Sequence, residues 1–267
     1  MAVVSWLGFT SAWAAEQTSD NVLHKGLTIF GGIQIYQAKG EFSSNKKGRP
    51  EIEVDLDDLD LNENELSPIV GAIFNFGKRW SLRLDYFGYH DDSKTTAEFD
   101  FEFEDLVVPV GARIDSNFDL DVYVANLTWN FINSGQARFG IGVVVHVADI
   151  DLEISGKIFV AGNEILLGEG DEDLLAPLPN IYASGAYAFT EKFIIRYGGG
   201  WMSMGYGDYD GKLVFANAFL EYWPFQYAGF GLGYRYVAAD IKYDTGKKTE
   251  KYDIKLPGPV LYVTFCF

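Results

Sequence analysis

From Gly26 to the C-terminal Phe267, apolar residues recur at every second position in segments about ten residues long. That is the period of a β-strand with two unlike faces, because successive side chains of a strand point to opposite sides of its sheet. Ten such segments are legible: approximately Gly26–Phe42, Pro68–Phe76, Trp80–His90, Asp119–Ile132, Arg138–Asp151, Asn180–Phe189, Lys192–Met204, Lys212–Trp223, Tyr227–Asp240 and Tyr252–Phe267. No amphipathic helix of three turns is visible between them, so the chain is read as all-β.

The sense of the alternation decides what the two faces meet. In the fourth segment Tyr123, Ala125, Leu127, Trp129 and Phe131 oppose Asn126, Thr128 and Asn130. In the ninth, Phe230, Leu232, Tyr234 and Tyr236 oppose Gly229, Gly231, Gly233 and Arg235, and in the last Leu261, Val263, Phe265 and Phe267 oppose Tyr262, Thr264 and Cys266. A soluble barrel points its apolar face inward, but Gly, Asn, Thr and Arg would fill a dry core poorly. The apolar face is therefore assigned to lipid. The connections agree, because they alternate between tight turns (Gly77–Arg79, Asn133–Gln136, Thr190–Glu191, Pro224–Gln226) and mostly longer polar stretches (Ser43–Ser67, Asp91–Phe118, Leu152–Pro179, Gly205–Gly211, Ile241–Lys251). Short turns on one rim and loops on the other is the layout of a membrane barrel with both termini on the short-turn side. Trp80, Trp129, Phe131, Phe139, Phe189, Phe193, Trp223 and Phe225 flank the tight turns and read as an aromatic girdle on that rim. The fifth segment changes phase near Ala148–Asp149, where a bulge would exchange inward and outward residues. The expectation is one antiparallel transmembrane β-barrel of about ten strands over residues 23–267, or eight if one hairpin lies outside the membrane.

Composition narrows the function classes. A formal net charge of −17 opposes nucleic-acid binding by phosphate neutralisation, and the single cysteine, Cys266, leaves no disulfide framework or Cys-based zinc site within one chain. Residues 1–14 read as a signal peptide ending at Ala12-Trp13-Ala14, truncated in that it lacks a basic leading region, and residues 15–22 as a periplasmic segment.

The alternating last strand ends on an aromatic residue, with Leu261, Val263, Phe265 and Phe267 on one face. This resembles the insertion signal of bacterial outer-membrane proteins. The chain is similar to uncharacterised proteobacterial outer-membrane β-barrels, porin-like small barrels, in Leu178-Pro179-Asn180-Ile181, Gly207-Asp208-Tyr209-Asp210-Gly211 and Gly229-Phe230-Gly231-Leu232-Gly233-Tyr234. The resemblance implies a Gram-negative outer membrane, contact with its lipid and lipopolysaccharide, and the barrel assembly machinery as a partner during insertion. It implies no activity and no cofactor.

Three sets of residues are candidates for chemistry. Strand phase places Arg83, Asp85, Arg138, His146, Arg196, Glu221 and Arg235 in the lumen, either as a plug of ion pairs or as the lining of a narrow pore favouring small anions. Passage of apolar solutes by a lateral route is a further transport reading. Asp55, Asp57, Asp58, Asp60, Glu63 and Glu65, with a second cluster at Gly170-Asp171-Glu172-Asp173, offer carboxylates to a divalent cation. The run lacks the central Gly of an EF-hand, so a solvated acidic loop, or a β-extension with Ile52, Val54 and Leu56 on one face, is the plainer reading. His90, beside Asp91, Asp92 and Ser93, is the one position that could serve an outer-rim hydrolase, although its neighbours match no such pattern. Gly207–Gly211 precedes no helix and reads as a hairpin turn rather than a phosphate loop. The chain is read as a non-enzymatic barrel with a structural or narrow-channel role.

Overall fold

The computed structural model describes residues 22–36, 39–46, 52–55, 65–97, 101–103, 106–160, 163–206, 209–246 and 248–267. A short turn of 3-10 helix, Val22–His24, precedes fifteen strands. These are β1 (Leu27–Tyr36), β2 (Lys39–Lys46), β3 (Ile52–Asp55), β4 (Glu65–Phe76), β5 (Trp80–Thr96), β6 (Phe101–Phe103), β7 (Leu106–Val108), β8 (Arg113–Asn133), β9 (Ala137–Val160), β10 (Asn163–Ala188), β11 (Phe193–Tyr206), β12 (Tyr209–Tyr222), β13 (Ala228–Asp244), β14 (Lys248–Lys255) and β15 (Gly258–Cys266). Ten close an antiparallel ring in the order β12-β11-β10-β9-β8-β5-β4-β1-β15-β13, with β13 returning to β12. The barrel is therefore ten-stranded, and the eight-stranded alternative is excluded. Its N- and C-terminal strands meet in register, Thr28 opposite Cys266 and Gln34 opposite Val260.

The outer wall is apolar over a belt. Ile29, Ile33, Val70, Leu84, Leu127, Ile141, Val143, Val145, Ile181, Leu232, Leu261, Val263 and Phe265 are all exposed, Ile181 to 73%. A water-soluble chain has no use for so many exposed large side chains in one band, whereas in lipid the band is the favourable surface. From Phe139 to Val147 a strand advances roughly 27 Å, which at a tilt of ~40° matches an apolar band about 20–25 Å tall. Trp80, Trp129, Phe131, Phe189, Phe193 and Phe225 are exposed along the lower rim. Trp223 is the exception: it points inward and is buried, so the girdle excludes it. Its parity along β12 is that of Glu221 and Phe219, both inward, and parity overrides its place beside a turn.

A positive charge placed on this belt tests the assignment. Val143, 60% exposed at mid-height of β9, should lose about 2–4 kcal/mol as Val143→Arg, the cost of a cation at the bilayer midplane. Asp151→Arg, on the same face of β9, should be nearly neutral; equal costs at both positions in urea titrations of the vesicle-embedded barrel would contradict the belt.

Much of what the polarity pattern marks as loop is strand. The stretches Ser43–Ser67, Asp91–Phe118 and Leu152–Pro179 contain the second half of β2, all of β3, the upper ends of β5 and β8, and the upper half of a long β9–β10 hairpin, and the first segment, Gly26–Phe42, divides between β1 and β2. No register shift accompanies the change near Ala148, since β9 pairs continuously from Arg138 to Ser155 with β10 and its pairing with β8 shifts only between Asn130 and Ile132. The strand simply leaves the lipid. Below Ala148 the outward residues are Ile141, Val143 and Val145; above it they are Asp149, Asp151 and Glu153, while Ile150, Leu152 and Ile154 turn inward and are buried. The extension is thus a water-exposed barrel over an apolar core, with Tyr36, Tyr89, Phe118, Leu120, Met202, Leu213, Ile241, Tyr252 and Ile254 in the same cluster. Beyond Asn180 towards the hairpin tip, β10 pairs only with β9 among the described residues. That open flank tolerates Pro177 and Pro179, which have no N–H to offer a further strand.

Candidate functional site

Inside the belt the lumen is filled in layers. At the periplasmic end Val22 and Leu23 of the N-terminal turn pack with Ala186, Ala188, Ile194, Trp223 and Cys266 into a small apolar cluster. The turn is tied to the rim: His24 Nε2 lies 3.0 Å from the Ser134 carbonyl oxygen, and Asn75 Nδ2 donates to the Lys25 carbonyl at 2.7 Å. At the opposite end lies the extension's apolar core, with Phe87, Val144 and Val237 nearest the chamber's charges, and the same buried cluster runs down one side of the lumen through Phe30, Tyr182, Phe215, Phe219 and Tyr262. A polar chamber lies between these two apolar layers.

All seven charged residues assigned to the lumen occupy inward positions of this chamber. Arg83 makes a two-pronged bond to Asp85, Nε to Oδ2 at 2.7 Å and Nη2 to Oδ1 at 3.0 Å, and its guanidinium sits 4.9 Å from the Phe30 ring centre. Glu221, 3% exposed, accepts from Arg196 Nε and the Tyr262 hydroxyl on Oε1, both at 2.9 Å, and from Trp223 Nε1 on Oε2 at 3.0 Å. Among the described residues Arg138 has amide partners alone, donating to Asn133 Oδ1 at 3.1 Å and to Asn75 Oδ1 at 2.6 Å. Arg235 stacks on Phe87 at 4.6 Å, and its Nη1 has no hydrogen-bond partner among the described residues. His146 Nδ1 is 3.3 Å from Asn180 Nδ2, and its ring meets the edge of Phe215.

The charged candidates leave out the aromatic residues that complete this site. Tyr182, Phe215, Phe219, Trp223 and Tyr262 are inward and buried, lying across glycines of neighbouring strands. A Cβ at Gly231 would fall 2.1 Å from the Tyr262 ring, so the missing side chain lets Tyr262 cross β13 and reach Glu221. The signal available was parity: Tyr262 shares its face with Thr264, and Trp223 shares its face with Glu221.

What remains open is small. One cavity of about 70 Å³ is lined by Arg83, Arg138, Arg196, Ser81, Thr128 and Ser184 among others; a second, about 30 Å³, adjoins Arg83, His146 and Arg235. Among the described residues an apolar cluster lies towards each end of the chamber.

Outside the lumen, His90 Nε2 lies 3.2 Å from Asp121 Oδ1, and the Tyr86 hydroxyl donates to the same oxygen at 2.7 Å. This cluster sits on the outer wall where the belt ends, and Ser93 points inward and is buried, away from it. Asp55 ends β3 and Glu65 begins β4; Asp57, Asp58, Asp60 and Glu63 lie outside the described residues. Asp171, Glu172 and Asp173 lie within β10. Among the described residues no group of three His, Cys, Asp or Glu side chains is placed to hold a metal. Leu261, Val263, Phe265 and Phe267 line the lipid-facing side of the C-terminal segment. Residues 1–14 and 15–21 lie outside the described residues.

The seat of the N-terminal turn is pH-sensitive. Burial is the main cause that holds the His24 imidazole below its ordinary value of 6.5; nearby Arg138 adds to this, and the Ser134 carbonyl opposes it. A group depressed on folding stabilises fully above its unfolded value and loses that contribution as the pH falls through the folded one. The midpoint of heat unfolding is therefore expected to drop between pH 7.5 and pH 5 by about 1–3 °C more in wild type than in His24→Gln, a small difference because the ring is partly solvated. Parallel pH profiles would contradict the assignment.

No protein-family model matches the chain, and no curated protein matches it. Solved structures do. The outer-membrane protease OmpT of Escherichia coli aligns with a TM-score of 0.56 at 9% identity, covering 90% of this chain and 97% of that one. The translocator domain of the autotransporter NalP of Neisseria meningitidis aligns at 0.44 and 12%, covering 91% and 89%. The toluene transporter TodX of Pseudomonas putida aligns at 0.36 and 8%, covering 92% of each. The fold is that of the bacterial outer-membrane β-barrels, and the apolar belt seats the chain in that membrane.

Proposed function

We propose that this protein is a closed, non-conducting outer-membrane barrel that acts through its extracellular β-extension, as a scaffold or docking platform at the cell surface. The observation that carries this reading is the chamber, bounded by apolar layers at both ends and crossed by side-chain pairs. An ion crossing the apolar layers would have to shed its water without replacement ligands, which is the barrier of a hydrophobic gate. A passive anion pore and a lateral route for apolar solutes are the alternatives this reading sets aside. Hydrolysis is a further alternative it sets aside; the His90–Asp121–Tyr86 cluster lies on the outer wall where the belt ends. The C-terminal segment Leu261–Phe267 serves recognition by the assembly machinery, lipopolysaccharide contacts the outer wall, and the acidic segments of the extension offer weak sites to divalent cations.

Proteoliposomes loaded with a halide-quenched dye test the reading. Vesicles carrying the folded barrel should exchange chloride no faster than empty ones. Exchange that rises in proportion to incorporated barrel would overturn it.

A further inference from the structure

The chamber's charges do not balance. Four guanidiniums, Arg83, Arg138, Arg196 and Arg235, face two carboxylates, Asp85 and Glu221; the buried Asp91 and Glu250 lie above, in the extension. Both chamber carboxylates are already spent, Asp85 on Arg83 and Glu221 on Arg196, Tyr262 and Trp223. Arg138 and Arg235 have no carboxylate partner among the described residues, and Arg235 is only 6% exposed with Nη1 unbonded. Guanidiniums buried without a carboxylate partner are unfavourable, and a counter-charge beside them offsets that cost.

The larger cavity is shaped to receive one. It is lined by three arginines and by hydroxyl and amide groups, including Ser81, Thr128 and Ser184, and by no carboxylate. Arg138 spends two of its five N–H groups on Asn133 and Asn75 and keeps the rest for a ligand. The volume, about 70 Å³, is room for about five waters by the usual measure, which is the bulk of a tetrahedral oxyanion and part of its shell. Guanidinium forks and side-chain amide N–H groups recognise such an ion; the Ser81 and Thr128 hydroxyl protons are already given to Asn75 and Asn126, so Arg138 and Asn217 are the donors the cavity offers.

We propose that the chamber binds one small inorganic oxyanion of the phosphate type in this cavity, held chiefly by Arg138 with Arg83 and Arg196, and reached from the periplasmic side past the Val22–His24 turn. Asn75 joins the two features, because it donates to the Lys25 carbonyl of that turn and accepts from Arg138. The anion is a resident counter-ion, exchanged slowly and not conducted.

The test is equilibrium dialysis of the full refolded chain in detergent against radiolabelled inorganic phosphate at constant ionic strength. One saturable equivalent per chain is expected, with affinity falling at least tenfold in Arg138→Gln and exchange accelerating in Leu23→Ala. No saturable uptake by the unmodified barrel, or uptake unchanged by Arg138→Gln, would overturn the proposal. Should Arg138→Gln fail to fold, as judged by its heat-dependent gel shift, Arg138→Lys removes the fork while keeping the charge and Asn217→Leu removes a neutral donor, and unchanged affinity in both overturns it equally. The inference rests on the closed-barrel reading only for slow exchange, so a dye-exchange failure and a dialysis failure are distinguishable.

Discussion

Glu221→Ala is expected to lower the unfolding free energy by about 3–5 kcal/mol, the range for removing one member of a buried charge pair. Its carboxylate holds Arg196, Tyr262 and Trp223 at 2.9, 2.9 and 3.0 Å. Truncation leaves the Arg196 guanidinium without its carboxylate partner, which is the costly part. It also releases Tyr262, the ring that lies over Gly231 and links β15 across β13 to β12, and Trp223, which roofs the periplasmic cluster. Glu221→Gln keeps the shape and some hydrogen bonds, and its loss should be smaller. Urea titration of the barrel in vesicles, read by tryptophan fluorescence, checks this. A Glu221→Ala barrel within about 1 kcal/mol of wild type, which is the range of a solvent-exposed ion pair, would show that the pair is solvated.

Phe118→Ala is expected to cost about 3–5 kcal/mol, and to do so locally. Phe118 is buried in the extension, its ring centre 5.8 Å from that of Tyr89, which in turn meets Tyr36 at 6.1 Å. If the extension is a packed barrel, the cavity should raise hydrogen exchange over the upper parts of β5 and β8, His90–Thr96 and Arg113–Leu120. The membrane half, around Leu82–Leu84 and Ala125–Leu127, should keep its protection, because different side chains fill it. Exchange already fast in wild type above the membrane would show that the extension is loose, and a uniform rise would show that the two halves unfold together.

These two residues mark what sequence reading could and could not reach. Glu221 was legible because inside the membrane the strand repeat has one sense, apolar out and polar in, and its parity follows from Leu220 and Phe219 on β12. Phe118 was not, because it lies where the sense reverses. Asp115 and Asn117 look like loop residues until Ile114 and Phe118 are seen to bury themselves inside a barrel that has left the lipid. The alternation itself never stops: Ile150-Asp151-Leu152-Glu153-Ile154 continues the period of Ile141 to Val147 with the faces exchanged. A reversal of polarity at constant period is the signature of a membrane boundary, whereas a bulge would have shifted the register, and none is found at Ala148. The closing layers were hidden for a different reason. Leu23 and Trp223 meet only through the ring closure of the barrel, a long-range contact with no local pattern.

If the two apolar layers seal the lumen, the barrel carries no current. Single-channel recording of the refolded protein in a planar bilayer tests this most directly, with folding verified by the heat-dependent gel shift. A silent membrane is expected at either polarity, with steps appearing only when both layers are opened together, as in Leu23→Asp combined with Phe87→Ser. Discrete steps from the unmodified barrel, with an anion preference that Arg83→Ala and Arg235→Ala abolish, would contradict it.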